Sequence, residues 1–359
     1  MRSSELRPQP EDFDFDLKRV LRSVVSVTTQ IPEDAMTADI LGTERMGNGV
    51  VIRDNIVLTI GYLVTEAETV WLTSGEVTTP GHVLGYDQAT GFGLIQALGQ
   101  LNLPALPLGD SSATKIGDSV VIAGAGGIDH AVAAHIVAKQ EFAGYWEYLI
   151  DEALFVAPAH PHWGGTALID NNGALLGIGS LQVEHSDPDG DNFDLNMVVP
   201  INLLKPILED ILKIGRADRP PRPWLGLFTA EIDDQIVVAG IASNGPADNT
   251  DIEVGDIVVG VAGEEINDLA SFFRHVWALG AAGVEVPLDI IRDGRLFEVT
   301  IASADRSKLL KGPVVVAGDL NTTLWANAFD NFRRRSGLVY MGHLIPTWPT
   351  WPLPTPQLG

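Results

Sequence analysis

Apolar residues in this chain come mostly in short runs separated by turn formers. From residue 41 to about 200, β-branched and apolar runs are broken repeatedly by Gly, Asp and Asn, a pattern that suits a β domain built of two barrels. The segment Leu17 to Thr29 begins charged and becomes β-branched at Ser23-Val24-Val25-Ser26-Val27, which predicts a first strand. Ahead of it, residues 1–16 are polar and acidic, with Phe13 and Phe15 alternating with aspartates, and read as an arm. The period changes at Ile201. Ile201, Leu204, Ile207, Leu208, Ile211 and Leu212 fall at helical spacing, and Gly215 closes the run. Arg219-Pro220-Pro221-Arg222-Pro223 is a stiff linker, and Asp293-Gly294 between β-rich runs predicts a hairpin. The tail 345–356, with Trp348 and Trp351 among prolines, is excluded from helix and inner strand and predicts an extended, polyproline-like chain.

Composition narrows the function classes. The 359 residues suffice for two or three domains, and 45 % apolar with 19 % charged is an ordinary globular balance. A formal net charge of −24 argues against nucleic acid and anionic membrane surfaces as partners, because phosphate contacts need clustered Lys and Arg. With no cysteine, disulfides, zinc ribbons and iron–sulfur ligation are excluded. No run approaches the ~18 apolar residues of a membrane helix. The first dozen residues lack an apolar core, so the sequence reading is a cytoplasmic protein.

Several motifs, in order, resemble the HtrA/Deg type of trypsin-like serine protease. They are Met46-Gly47-Asn48-Gly49-Val50-Val51-Ile52, Ile56-Val57-Leu58-Thr59-Ile60-Gly61-Tyr62, Gly85-Tyr86-Asp87-Gln88-Ala89-Thr90-Gly91, Leu106-Pro107-Leu108-Gly109-Asp110-Ser111 and His160-Pro161-His162-Trp163-Gly164-Gly165-Thr166. Aligned on that family, Tyr62 stands at the catalytic histidine, Gly91 at the aspartate and Trp163 at the serine, in a loop one residue shorter than the family's. The mechanism needs a nucleophile, a base and a group that orients the base. A tryptophan cannot form an acyl-enzyme, and a phenol with a reference pKa near 10 is a poor base. The expectation is therefore a pseudoprotease without enzymatic activity.

The resemblance continues beyond the linker. Trp224-Leu225-Gly226-Leu227 resembles the carboxylate-binding loop that opens a PDZ domain of this family, and Val254-Gly255-Asp256-Ile257-Val258 and Ala262-Gly263-Glu264-Glu265-Ile266 match later PDZ segments. Leu269 to Leu279 is then the helix lining the groove. The resemblance covers roughly residues 40 to 305. The expected domains are an arm at 1–16, a degenerate protease domain at 17–214, a PDZ domain at 220–304, and an extension with tail at 305–359. In the family, aromatic residues ahead of the first strand help form a trimer. Phe13 and Phe15 suit either that role or packing on their own domain.

Other candidates carry less. His160 and His162 form an i, i+2 imidazole pair, but no Asp, Glu or Cys shares the motif, so no metal is expected. The acidic stretch 187–194 suits calcium chemically, yet lacks the spacing of a calcium loop and reads as a solvated loop. Ser111, Thr166 and Ser180 offer hydroxyls for a relocated nucleophile. Trp348 and Trp351, one polyproline turn apart, present one apolar face to a partner. The expected function is protein binding, as accessory, scaffold or assembly subunit, through the PDZ groove and the tail, with homo-oligomerisation open and no cofactor. The alternatives are a chaperone-like binder of unfolded or C-terminal peptides, and an enzyme with a rearranged or metal-dependent hydrolytic site.

Overall fold

A computed structural model describes residues 6–186 and 192–310. The acidic stretch at 187–191 and the tail with Trp348 and Trp351 lie outside the described residues. The first strands are β1 (Val24–Gln30), β2 (Glu44–Arg53), β3 (Ile56–Ile60), β4 (Thr69–Ser74), β5 (Val77–Tyr86) and β6 (Phe92–Ala97). They close a barrel in the order β1-β2-β3-β6-β5-β4. A second closed barrel follows, from β7 (Ser119–Ala123), β8 (Ala131–Gly144), β9 (Tyr148–Ala157), β10 (Ala167–Ile169), β11 (Leu175–Ser186) and β12 (Asn192–Pro200), in the order β10-β11-β12-β9-β8-β7. Closure leaves neither sheet a free edge. Along β7 the strand period of two divides the packing. Val120 and Ile122 join one apolar cluster, while Val121 and Ala123 join the larger cluster that runs through the first barrel. The fold class is the one the sequence predicts: two trypsin-like barrels, then a PDZ domain.

The N-terminal reading is partly corrected. Leu17–Leu21 winds into the short helix α1, because Asp16 accepts the N–H of Arg19 at 3.0 Å and both leucines are buried; the strand begins only at Val24. The segment before it lies on the fold rather than free. Ala133 N–H donates to the carbonyl of Leu6 at 2.7 Å, and Phe13 and Phe15, with rings 5.3 Å apart, pack on their own core.

α2 (Ala38–Leu41) is a single turn between the first two strands. The helix expected from Ile201 is broken into a 3-10 turn, Ile201–Leu203, and α3 (Leu208–Ile214). Pro206 lies between them and has no N–H to continue the ladder. Gly215 ends α3 in the left-handed region with φ 76°.

The linker is held at both ends. Arg219 pairs with Asp87 at 2.7 Å, and the guanidinium of Arg222 lies 4.1 Å from the ring centre of Trp277. The third sheet comprises β13 (Leu227–Ile232), β14 (Gln235–Ile241), β15 (Ile257–Val261), β16 (Glu264–Glu265), β17 (Glu285–Arg292) and β18 (Arg295–Ala302), in the order β13-β14-β15-β17-β18 with β16 on β15. α4 (Leu269–Ala278) covers it, started by a reciprocal Asp268–Ser271 cap and burying Leu269, Phe272, Phe273 and Val276. The β17–β18 hairpin turns at Asp293 and Gly294, both with positive φ, as the sequence predicts.

Candidate functional site

A cavity of about 880 Å³ opens where the barrels meet the third sheet. That is the size of a ligand cleft. Tyr62, Tyr86, Tyr145, Trp146, Tyr148, Trp163, Trp224 and Phe228 line it. Arg306 also reaches it. Its Nε is buried without a hydrogen-bond partner, its guanidinium lies 5.9 Å from the ring centre of Trp224, and burial lowers its pKa, with the charges of Tyr86, Glu147 and Glu66 opposing. The same burial, only partly offset by Arg306, pushes the Tyr86 phenol up to about 12.

Tyr62, Gly91 and Trp163 share this cavity. The turn carrying Tyr62 is held by Arg45, whose Nη1 donates to the carbonyls of Tyr62 at 2.6 Å and Thr65 at 3.0 Å. Burial brings Arg45 down to about 10, with Glu66 opposing. The Tyr62 hydroxyl donates to the carbonyl of Ser180 at 2.9 Å, and Trp163 lines the same cavity. Burial pushes the phenol well above its ordinary pKa, so Tyr62 keeps its proton at neutral pH. Gly91 has φ 80°, and the hydroxyl of Tyr148 fills the space beside it while donating to the Thr90 carbonyl at 2.8 Å.

The loop Trp224-Leu225-Gly226-Leu227 presents converging backbone N–H groups, with Gly226 at φ 77°. They are engaged within the chain. Gly226 N–H donates to Glu147 Oε1 at 2.8 Å, and those of Leu225 and Leu227 donate to the same oxygen at 3.1 and 3.2 Å. Glu147 is 8 % exposed and sits in the tip of the β8–β9 hairpin. The carboxylate that the loop holds in this structure is that of Glu147. A side chain at Gly226 would meet Pro246 and Trp224 at 3.3 Å in a strained backbone, so a substitution there would disturb the loop itself and not just a ligand.

The remaining candidates are spoken for. His160 is buried, and its ring contacts the His130 carbonyl at 3.2 Å and the His162 N–H at 3.1 Å. Burial lowers its pKa. Among the described residues no cluster of three or more His, Cys, Asp or Glu is placed to hold a metal. Ser111 Oγ accepts from Asn202 N–H, and Thr166 Oγ1 donates to the Trp163 carbonyl. Sequence reasoning missed Glu147, Tyr148 and Arg306. The hydrogen-bond partners of Glu147 and Tyr148 lie far along the chain, and only the hairpin register singles out Glu147, which sits at φ 59° where a three-residue loop favours glycine.

Residues 47–178 match the trypsin-like peptidase domain family, and residues 223–302 match the PDZ domain family. The probable periplasmic serine endoprotease DegP-like of Pseudomonas putida (strain W619) is 26 % identical over 277 residues, covering 72 % of this chain and 56 % of that protein. The serine protease Do-like HtrA of Bacillus subtilis (strain 168) is 25 % identical over 287 residues, covering 69 % and 61 %. The chain thus spans little more than half the length of these relatives. Among solved structures, the HtrA-type protease AlgW with decapeptide aligns at 19 % identity and TM-score 0.49, covering 83 % of this chain and 98 % of that one. The serine endoprotease from Yersinia pestis aligns at 21 % and 0.46, covering 80 % and 96 %.

Two expectations are overturned by these relatives. The reading of a chain outside enzymology fails, since the matched proteins are named serine endoproteases and the group is an enzymatic one. The cytoplasmic reading fails as well, since matched proteins are named periplasmic. It rested on the polar first dozen residues, which carry no information about export.

Proposed function

We propose, for a chain that belongs to the HtrA type of trypsin-like peptidase domain joined to a PDZ domain, that the cleft between barrels and PDZ sheet binds an extended segment of polypeptide. The observation that carries this reading is the aromatic lining together with the Arg306 guanidinium, whose buried Nε has no hydrogen-bond partner. Aromatic walls hold apolar side chains of many sequences, as a binder of unfolded chain requires. A buried guanidinium N–H without an acceptor is costly, and the cation gains from an anionic group on the ligand, a carboxylate above all. Binding of extended chain precedes any chemistry the family performs, so the reading covers a protease-related role and an accessory or assembly role in a larger complex alike. We place the protein in the periplasm or another exported compartment, in line with the periplasmic proteases among its relatives. The division into arm, barrels at 17–214, PDZ domain at 220–304 and extension belongs to the same proposal, as do partner contacts through Trp348 and Trp351.

The test is calorimetric titration of the full chain with a reduced, carboxymethylated, permanently unfolded small protein. Saturable binding that weakens about ten-fold or more in Trp163→Ala, at unchanged folding, supports the cleft. No binding, or binding indifferent to Trp163, overturns it.

A further inference from the structure

The tip of the β8–β9 hairpin is built like a ligand of the neighbouring PDZ domain. Register pairs Gly144 with Tyr148, which leaves Tyr145, Trp146 and Glu147 as the loop. Backbone, charged group and apolar side chain each meet the element that would receive their counterpart in a bound peptide. The carbonyl of Tyr145 accepts the N–H of Thr229 at 3.0 Å, on the edge strand β13. The carboxylate of Glu147 takes the N–H groups of Leu225, Gly226 and Leu227. Leu149, although part of β9, is buried in the PDZ core cluster with Leu225, Leu227, Phe272 and Phe273. On the other side Arg274 of α4 grips both hairpin strands, through Glu141 and through Asp151 at 2.7 Å. A strand-edge hydrogen bond, a carboxylate in a nest of N–H groups and an apolar anchor are together the means by which a sheet edge captures a chain end.

A second observation is independent of these contacts. Glu147 adopts φ 59°, the left-handed region that a non-glycine residue enters only against a steric cost. The hairpin alone would be better served by glycine. The glutamate side chain offsets the strain only because its carboxylate is received by the loop.

We infer that the β8–β9 hairpin occupies the PDZ groove as an intramolecular ligand, with Glu147 standing in for a chain-terminal carboxylate, so that a free C-terminus enters only by displacing it. The tethered group competes at the high effective concentration of an intramolecular contact, which suppresses weak ligands and admits those that satisfy loop and apolar pocket together. The kind of partner that fits is a polypeptide with a free carboxyl end and an aliphatic last residue, the chemistry that Glu147 and Leu149 now supply. This goes beyond the cleft reading, because it concerns displacement of the hairpin from the groove of β13 and α4; Tyr145 and Trp146 of the hairpin and Gly226 and Leu227 of the loop also border the cleft.

Glu147→Gly tests it, since glycine relieves the strained backbone while deleting the carboxylate. The probe is a fluorescein-labelled decapeptide ending in Ala-Leu with a free carboxyl, alongside its C-terminal amide, titrated by anisotropy against full-length parent and variant. The expected result is that the variant binds the free acid at least ten-fold more tightly than the parent does, and more tightly than it binds the amide. Equal affinity in parent and variant overturns the proposal, as does equal affinity for acid and amide. Should the variant misfold, the parent alone gives the answer by hydrogen exchange under saturating free-acid peptide. Amides of 145–149 then lose protection if the hairpin is displaced; bound peptide with those amides still protected refutes displacement.

Discussion

The hydroxyl of Tyr148 stands where a side chain on Gly91 would have to go: a Cβ on Gly91 would lie 2.9 Å from it. With φ at 80° the position is strained for any other residue as well. Gly91→Ala should therefore destabilise the chain by about 1–3 kcal/mol. Denaturant unfolding of parent and variant measures this directly. Measured against Tyr148→Phe alone, which forfeits the hydrogen bond to Thr90, the Gly91→Ala loss should shrink to its backbone share.

The Tyr62 hydroxyl donates to the Ser180 carbonyl at 2.9 Å. Tyr62→Phe keeps the ring and removes that bond. The expected cost is about 1–2 kcal/mol, because the carbonyl loses its donor in a buried setting. Denaturant unfolding of parent and variant checks this, and unchanged stability would mean that the Ser180 contact contributes little.

Much of the fold was legible because its signals are local. Asp293-Gly294 closes the predicted hairpin, Gly215 ends α3 in the left-handed region, and Asp268 starts α4 within three residues of its cap partner. Each depends on a handful of neighbours in sequence. The helical turn at Leu17 escaped notice because Asp16 caps it from just outside the apolar pattern. The site was legible only in part. Tyr62, Gly91 and Trp163 stood out as departures from the HtrA pattern, but Glu147 meets Gly226 across 79 positions of sequence, and no periodicity records such a contact. The break at Pro206 was in plain view; the apolar spacing on either side of it concealed the interruption, since Leu204 and Ile207 are buried whether or not the helix is continuous.

Stability should depend on pH through Glu147. Burial raises its carboxyl from 4.5 to about 7, opposed by the N–H groups of Leu225, Leu227 and Gly226 and by the charge of Arg306. Between these values the folded chain holds a proton that the unfolded chain has released. The stabilisation is thus complete below about pH 4.5 and is lost as pH rises through about 7. The loss amounts to at most about 3 kcal/mol. Unfolding of the parent at pH 5 to 8, referenced to Glu147→Gln, should show the difference between them change across that window and level off above it. A flat difference would place the carboxyl at its ordinary pKa.

Arg306 lines the cleft with its Nε buried and without a hydrogen-bond partner. Arg306→Met keeps much of its apolar stem and removes the charge. Affinity for an unfolded segment bearing carboxylates should fall about ten-fold, while affinity for a neutral segment of similar hydropathy should change little. Parallel calorimetric titrations of the two segments separate the outcomes, and equal losses for both would assign Arg306 a packing role.

The central claim is that an extended polypeptide occupies the aromatic cleft, and photo-crosslinking tests it most directly. A reduced, carboxymethylated unfolded protein carrying benzophenone groups is irradiated with the full chain, and the adducts are mapped by mass spectrometry. The expected adducts cluster on the cleft walls, at Trp146, Trp163, Trp224 and their neighbours, and are suppressed by excess unlabelled chain. Adducts scattered over the barrel surfaces, or undiminished by that competitor, would contradict the claim.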